Sequence, residues 1–250
     1  MAYRTMDIRI AYLEPSDLDG AYQISLDAFS QDPHTLFKMH EKGSTDMQSE
    51  MLPKEQIRSY LSEERSKKVK IVKALAGDKI VGFSIWGLWN WEGQNKDVSV
   101  RCSEELTRQE PAKYPGVRMS DPVIATQLST GSALEQLETI TSGHMTQTLD
   151  RACQPTHPTI YCIGLHVDPQ SQGLGVGTRM VRWATEYADS RNAAAWAHLS
   201  DTTAGIKACE KNGFEEVNTV TVNLDEYATK DTNKPWGHYS HHCMYRPSHA

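Results

Sequence analysis

Residues 159–189 join a continuous apolar run to a helical pattern through a loop rich in glycine. The run TIYCIGLHV has the length and apolar character of a strand that is buried on both faces. The stretch that follows, VDPQSQGLGVGTRM, carries glycine at every second position, at 173, 175 and 177. Each glycine in an ordered element costs about 0.5–1 kcal/mol relative to Ala, so the cluster indicates close backbone approach or unusual dihedral angles. The chain is therefore expected to place a buried strand, a tight loop and a helix in direct succession.

This arrangement presents unpaired backbone N–H groups and the positive end of a helix dipole to an anion. Phosphate binding is one interpretation, and a tight connection whose glycines only permit packing is the other. A P-loop is excluded because no Lys lies between Pro169 and Tyr187. The dinucleotide fingerprint is disfavoured because Thr178 or Met180 stands where its third glycine is required.

The pattern that does fit is Gln172-x-x-Gly175-x-Gly177, preceded by Val167-x-Pro169. With it the sequence resembles the GNAT superfamily of acyl-CoA-dependent N-acetyltransferases, whose Arg/Gln-x-x-Gly-x-Gly/Ala signature directly follows a hydrophobic strand. A second family motif, a strand and a helix with a Tyr-Glu-Lys-x-Gly-Phe-like end, is similar to AWAHLSDTTAGIKACEKNGFEEV further on. The opening RIAYLEPSDLDGAYQISLDAFSQDP resembles the small-molecule acetyltransferases that are common in fungi.

The resemblance implies acetyl-CoA as co-substrate. Backbone amides of the loop would hold its pyrophosphate, and the residues concerned are Gln172, Gly173, Leu174, Gly175, Val176, Gly177 and Thr178. The pantetheine arm would lie in a gap between two parallel strands and bond to the backbone at Leu165 and Val167. An amide there would also polarise the thioester carbonyl.

The implied reaction is direct attack of a neutral amine on the acetyl thioester, without a covalent acyl-enzyme. Cys209 stands where the family often carries a Tyr that protonates the leaving thiolate. One hypothesis makes Cys209 the acid, and the other makes it a small packing residue. The acid is scarcely needed, because a CoA thiolate is a good leaving group near neutral pH.

The general base and the acceptor site are less well defined. Tyr161 falls where some relatives carry a catalytic Glu, and a phenol is no base at neutral pH. His166 is the candidate base, although strand alternation can turn it to the other face of the sheet as a packed residue. Asp32 is a candidate to orient a cationic amine, or a turn residue before proline. Trp86 is a candidate for the pocket wall, or for the core.

The predicted fold is α/β, with a GNAT-like mixed central sheet that splays between its fourth and fifth strands and helices on both faces. It forms a single domain over residues 1–250, with an insertion at about 92–158. Strands are predicted at 7–13, 69–75, 79–89, 159–167, 192–199, 214–224 and 237–246. Helices are predicted at about 18–29, 53–68, 132–151, 176–189 and 202–211, and residues 33–52 as a loop with short turns.

Composition limits the partners. The formal net charge of -6 gives no basic field for nucleic acid, and no segment approaches the roughly 18 apolar residues of a membrane span. The cysteines lack Cys-x-x-Cys spacing, which favours reduced thiols in a cytoplasmic protein. No metal site is predicted, because the histidines near the end have no partners at ligand spacing; they are His238, His241, His242 and His249.

The function predicted from the sequence is acetylation of a small-molecule amine by a monomer or homodimer. The missing Tyr and Glu leave open a catalytically silent acyl-CoA-binding module. Protein or peptide N-acetylation is a further alternative, which predicts an open groove. The long insertion is better suited to covering a small pocket, although fold analogy carries most of that argument.

Overall fold

The computed structural model describes residues 7–90, 131–152, 157–230 and 234–248. Most of the insertion predicted at about 92–158 lies outside these residues. Within them, none of the helices has the length and apolar character that a membrane span requires. The strands are β1 (Ile8–Tyr12), β2 (Val69–Ala76), β3 (Lys79–Trp89), β4 (Thr159–Val167), β5 (Ala194–Leu199), β6 (Glu215–Asn223) and β7 (His238–Arg246). The α-helices are α1 (Leu18–Phe29), α2 (Pro33–Lys42), α3 (Lys54–Tyr60), α4 (Ala133–Ala152), α5 (Val176–Asp189) and α6 (Thr203–Glu210).

The strands form one mixed sheet in the order β1-β2-β3-β4-β5-β7-β6. Only β4 and β5 pair in parallel among these strands, and α5 connects them. The strands predicted at 69–75 and 79–89 form a hairpin: β2 and β3 pair antiparallel across a turn in which Gly77 has φ +61°. The mixed α/β class is therefore as predicted.

Helices cover both faces of this sheet. Ile85 of β3 packs with α1 and α3, whereas its neighbour Trp86 packs with α5 and α6. Successive side chains of a strand point to opposite faces, so α1 and α3 lie on one face and α5 and α6 on the other. In β5, Trp196 packs against α4 while the alanines on either side pack with α5 and α6. Helix α4 therefore shares the face of α1.

The predicted splay between β4 and β5 is confirmed by their short ladder. The two strands pair only from Thr159↔Ala194 to Cys162↔Ala197. On its other side, β4 stays paired with β3 as far as Val167. The carboxyl half of β4 thus keeps one neighbour and loses the other, which leaves a gap in the sheet.

The prediction of a loop over residues 33–52 is wrong, because α2 occupies its first half. Asp32 caps this helix by accepting a hydrogen bond from the Thr35 amide, with Pro33 in the first turn. Gly43 ends it in the left-handed region at φ 67°. The Asp-Pro pair thus begins a helix soon after α1 ends, rather than only making a turn. The helix predicted at 53–68 is shorter than expected and ends at Tyr60.

His166 is a buried histidine between α1 and the sheet. Its ring stacks on Phe83 at a centroid distance of 4.5 Å, and its Nδ1 lies 3.1 Å from the hydroxyl oxygen of Ser25. Burial lowers the pKa of His166 from 6.5 to about 4. Between these two values the unfolded chain binds a proton that the folded chain does not bind, so stability falls as the pH falls through this window.

We expect His166→Gln to flatten the pH dependence of stability. From pH 7.5 to pH 5, the wild type should lose about 2 kcal/mol more of its free energy of unfolding than the variant. Urea unfolding at both pH values measures this difference. The exposed His238→Gln is the control and should keep the wild-type pH dependence. An equal loss in His166→Gln and the wild type would contradict the assignment.

Candidate functional site

A cavity of about 670 Å³ opens where β4 and β5 diverge. On one side it is lined by the end of α1 and by Asp32. On the other side it is lined by α5, α6 and the loop before α5 at residues 171–175, here called the glycine loop. Because α1 and α6 lie on opposite faces of the sheet, the cavity passes through the gap from one face to the other. A molecule bound from either side would therefore reach the same strand edge.

The open edge of β4 presents backbone polar groups to this cavity. The amide of Asp168 donates to the Val81 carbonyl of β3 at 3.0 Å. Along a strand, the N–H groups of alternate residues point to the same edge. The N–H groups of Leu165 and Val167 therefore point away from β3, into the gap. Both residues also line the cavity.

The glycine loop leads into α5 with backbone geometry that other residues rarely adopt. Gly173 has φ 75° and Gly175, the N-cap of α5, has φ 83°. A Cβ at either position would meet nothing within 4 Å. At Gly177 the nearest atom would be 3.8 Å away, an ordinary contact. The protein therefore leaves space beside all three glycines.

The first backbone N–H groups of α5 are hydrogen-bond donors without acceptors inside the helix. Gly175 supplies no side-chain cap, and the first N–H groups of a helix have no acceptor within it. Together with the helix dipole, these groups favour an anion. Of the loop residues predicted to bind the cofactor, those that line the cavity are Gln172, Gly173, Gly175, Val176, Gly177 and Thr178. Leu174 does not line it and is 42% exposed.

Asp32 lies in the cavity wall with its carboxylate held in place. One oxygen accepts from the Thr35 amide at 2.8 Å and from the Thr35 hydroxyl at 2.7 Å. The other accepts from the hydroxyl of Tyr239 at 2.7 Å. Burial, with Asp32 adding to it, raises the pKa of Tyr239 above its usual value. The phenol therefore stays protonated and remains a donor to the carboxylate.

The other predicted side chains lie outside the residues that line the cavity. Cys209 is 1% exposed in the core between α5 and α6, and burial raises its pKa to about 12. Trp86 is fully buried and donates to the Ser84 hydroxyl at 2.8 Å. His166 points to the α1 face, because strand alternation turns it away from the side chains of Leu165 and Val167. The catalytic and pocket roles given to these three residues stay predictions.

Of the cavity residues that no sequence pattern indicated, two lysines and a histidine are basic. Lys207 and Lys211 stand one turn apart at the end of α6, on the same side as the glycine loop. Their i, i+4 spacing was visible, but an exposed helix face has the same pattern. His198 of β5 also lines the cavity, and burial, with nearby histidines adding to it, lowers its pKa to about 4. A single histidine in a strand carries no signal of this position.

The sequence matches the acetyltransferase (GNAT) family over residues 139–214. This segment contains β4, the glycine loop, α5, β5 and α6. No curated protein sequence matches the chain.

Solved structures of N-acetyltransferases share the fold, and three of them serve as examples. Arylalkylamine N-acetyltransferase 2 from Aedes aegypti is 11% identical with a TM-score of 0.56, over 96% of this chain and 99% of that one. Mosquito arylalkylamine N-acetyltransferase like 5b is 16% identical with a TM-score of 0.54, over 96% and 100%. PaiA N-acetyltransferase from Thermoplasma acidophilum, in complex with coenzyme A, is 10% identical with a TM-score of 0.50, over 97% and 99%. Residues 139–214 thus match the GNAT acetyltransferase family, and the chain shares its fold with these N-acetyltransferases.

Proposed function

We propose that this protein transfers the acetyl group of acetyl-CoA to the amine of a small molecule by direct attack on the thioester. One observation carries the proposal: a single cavity joins an anion-binding helix start, an open strand edge and a carboxylate. The helix start and the strand edge suit the donor, and the carboxylate suits a cationic acceptor.

The donor side of the cavity is complementary to CoA. The first-turn N–H groups of α5 would hold the pyrophosphate, and the ammonium groups of Lys207 and Lys211 add positive charge on the same side. The pantetheine arm would add to the edge of β4 as an extra strand, bonded to Leu165 and Val167. The related fold from Thermoplasma acidophilum was determined with coenzyme A, which agrees with this choice.

The acceptor side carries Asp32 in a fixed orientation. Its three hydrogen bonds leave no freedom to turn away, so the negative charge stays at the cavity wall. Such a charge attracts an ammonium group and holds it in one place before reaction. The ring of Phe29, beside it in the wall, adds an apolar surface for the body of the acceptor.

The reaction takes place where the two sides meet. The amine, after loss of its ammonium proton, attacks the carbonyl carbon; a C–N bond forms and the C–S bond breaks. An N–H group at the open edge of β4 would donate to the carbonyl oxygen as negative charge develops there. The electron pair of the C–S bond leaves on the CoA sulfur; the nitrogen loses its extra proton to solvent, and the sulfur takes one proton from solvent.

An amine panel with acetyl-CoA tests the reaction. We expect CoA thiol release and an acetylated product by mass spectrometry with at least one small primary amine, because the cavity holds both reactants. N-terminal peptides form the comparison set. Binding of acetyl-CoA without turnover would support the silent module instead, and acetylation of peptides alone would support a peptide acetyltransferase.

Gly177→Val should weaken acetyl-CoA binding with little effect on the fold. A Cβ at this position would lie 3.8 Å from the side chain of Val167 and 3.9 Å from those of Ala208 and Leu165, which all line the cavity, so the added methyl groups narrow its donor side. We expect at least about a tenfold rise in Kd by calorimetry, equal to about 1.4 kcal/mol. The control is Gly143→Val in α4, where a Cβ meets nothing within 4 Å. Equal affinity in both variants would refute the cofactor site.

Asp32→Asn should raise the KM for the amine by about 10–100-fold, because a charge-assisted bond of about 1.5–3 kcal/mol is lost. The Kd for acetyl-CoA should stay unchanged. Asp46→Asn is the matched control: Asp46 caps a short 3₁₀ helix by accepting from the Gln48 amide at 3.0 Å, outside the cavity lining. A rise in KM in both variants, or in neither, would remove Asp32 from the acceptor site.

A further inference from the structure

Beyond the cavity, the fold brings two imidazoles and a thiol together from three separate elements. His198 of β5 and Cys243 of β7 are direct partners in the antiparallel register. Residues directly opposite in such a pair have side chains on the same face. His144 of α4, the helix that covers this face, lies over them. One possible ligand atom from each residue lies within 4.8 Å of the other two.

Two of these side chains are buried, that of His198 is half-buried, and the cluster is incompletely hydrogen-bonded. Cys243 is fully buried and His144 is 6% exposed. The Nε2 atoms of His144 and His198 are buried without a hydrogen-bond partner. An unsatisfied buried polar group costs about 1–3 kcal/mol. The sulfur of Cys243 lies 3.8 Å from Nδ1 of His144, which is long for a strong hydrogen bond.

We infer that His144, His198 and Cys243 form a Zn²⁺ site. Nitrogen and sulfur donors suit Zn²⁺, whereas Mg²⁺ and Ca²⁺ prefer oxygen. Zinc binds nitrogen at about 2.0–2.1 Å and thiolate sulfur at about 2.3 Å, so tetrahedral ligand atoms lie about 3.5 Å apart. The ligand atoms, which lie within 4.8 Å of one another, must therefore draw together by about 1 Å on metal binding. A water molecule completes the four ligands.

Metal binding removes one proton from the three ligands. The Cys243 thiol loses its proton to solvent and binds as a thiolate, and each neutral imidazole donates one nitrogen lone pair. The complex of one Zn²⁺, one thiolate and two imidazoles carries a single positive charge. Metal binding therefore ties α4 to β5 and β7 and releases one proton.

The site also bears on the cavity. His198 belongs both to the ligand set and to the cavity wall. A bound metal fixes its ring, which stacks on His241 at a centroid distance of 5.1 Å. Zinc binding would therefore fix the shape of the cavity wall at His198. The inference concerns metal binding alone and stands whether or not the proposed acetyl transfer is confirmed.

Titration of tag-free, chelator-treated full-length protein with Zn²⁺ tests the site. We expect one tightly bound Zn²⁺ per chain and a higher Tm with metal than without it. Co²⁺ in place of zinc should show a thiolate-to-metal charge-transfer band. Cys243→Ser should weaken Zn²⁺ binding by more than about 100-fold, since even outer-shell partners change metal affinity by about 10–100-fold.

The matched control is Cys162→Ser, which removes a free thiol outside the three ligands. It should keep the Zn²⁺ affinity and the Co²⁺ band of the wild type. His144→Gln is a second ligand variant, and the Tm of each metal-free variant shows whether it is folded. Absence of stoichiometric binding in the wild type would overturn the site. So would wild-type affinity in folded Cys243→Ser, or a Co²⁺ complex without the thiolate band.

Discussion

The loss of pairing between β4 and β5 after four residue pairs is the constraint on which the site depends. An unpaired strand edge exposes N–H and C=O groups that demand partners, and sheets usually cover or close such edges. Here the edge is kept inside the molecule, because β3 holds β4 in place to Val167. The same divergence opens a passage through the sheet. The fold thereby creates both the polar edge and the space that a bound chain-like molecule would fill.

The charges in the cavity follow from the elements that surround the gap. Helices α5 and α6 bring backbone amides and two lysines from one face, and α1 with the start of α2 brings a carboxylate from the other. The two charges therefore lie on different faces of one sheet, and the gap connects them. A reaction between an anionic donor and a cationic acceptor fits this separation, since each is attracted to its own side.

Local patterns predicted what lies close together in the sequence. Strands β3 and β4 begin and end at the predicted residues, because a hairpin turn or a long apolar run defines them. The loop residues that line the cavity lie together because they form one contiguous motif. The side-chain directions of His166 and Cys209 were open, since a one-residue change of face depends on packing with distant elements. The start of α2 was missed because Asp-Pro is both a stop and a start signal.

Other features depend on tertiary contacts, which cannot be predicted from the spacing of residues in the sequence. Lys207 and Lys211 belong to the cavity only because α6 packs beside α5. His144, His198 and Cys243 meet only because β7 returns between β5 and β6 and α4 crosses over them. These three residues lie far apart in the sequence, so ligand spacing could not indicate them, and the cluster contains none of the histidines near the end.

Asp32 joins two tasks in one carboxylate: it begins α2 and it faces the cavity. Most residues that shape a binding pocket are replaceable at little cost to folding, but here the polarity of the pocket and the start of a helix share the same two oxygens. A change of acceptor preference at this position would therefore also change how firmly α2 is anchored to the sheet through Tyr239. A new acceptor specificity would arise more readily from substitutions elsewhere in the cavity wall, for instance at Phe29. The ring of Phe29 does not cap a helix, so its replacement would not also remove a cap.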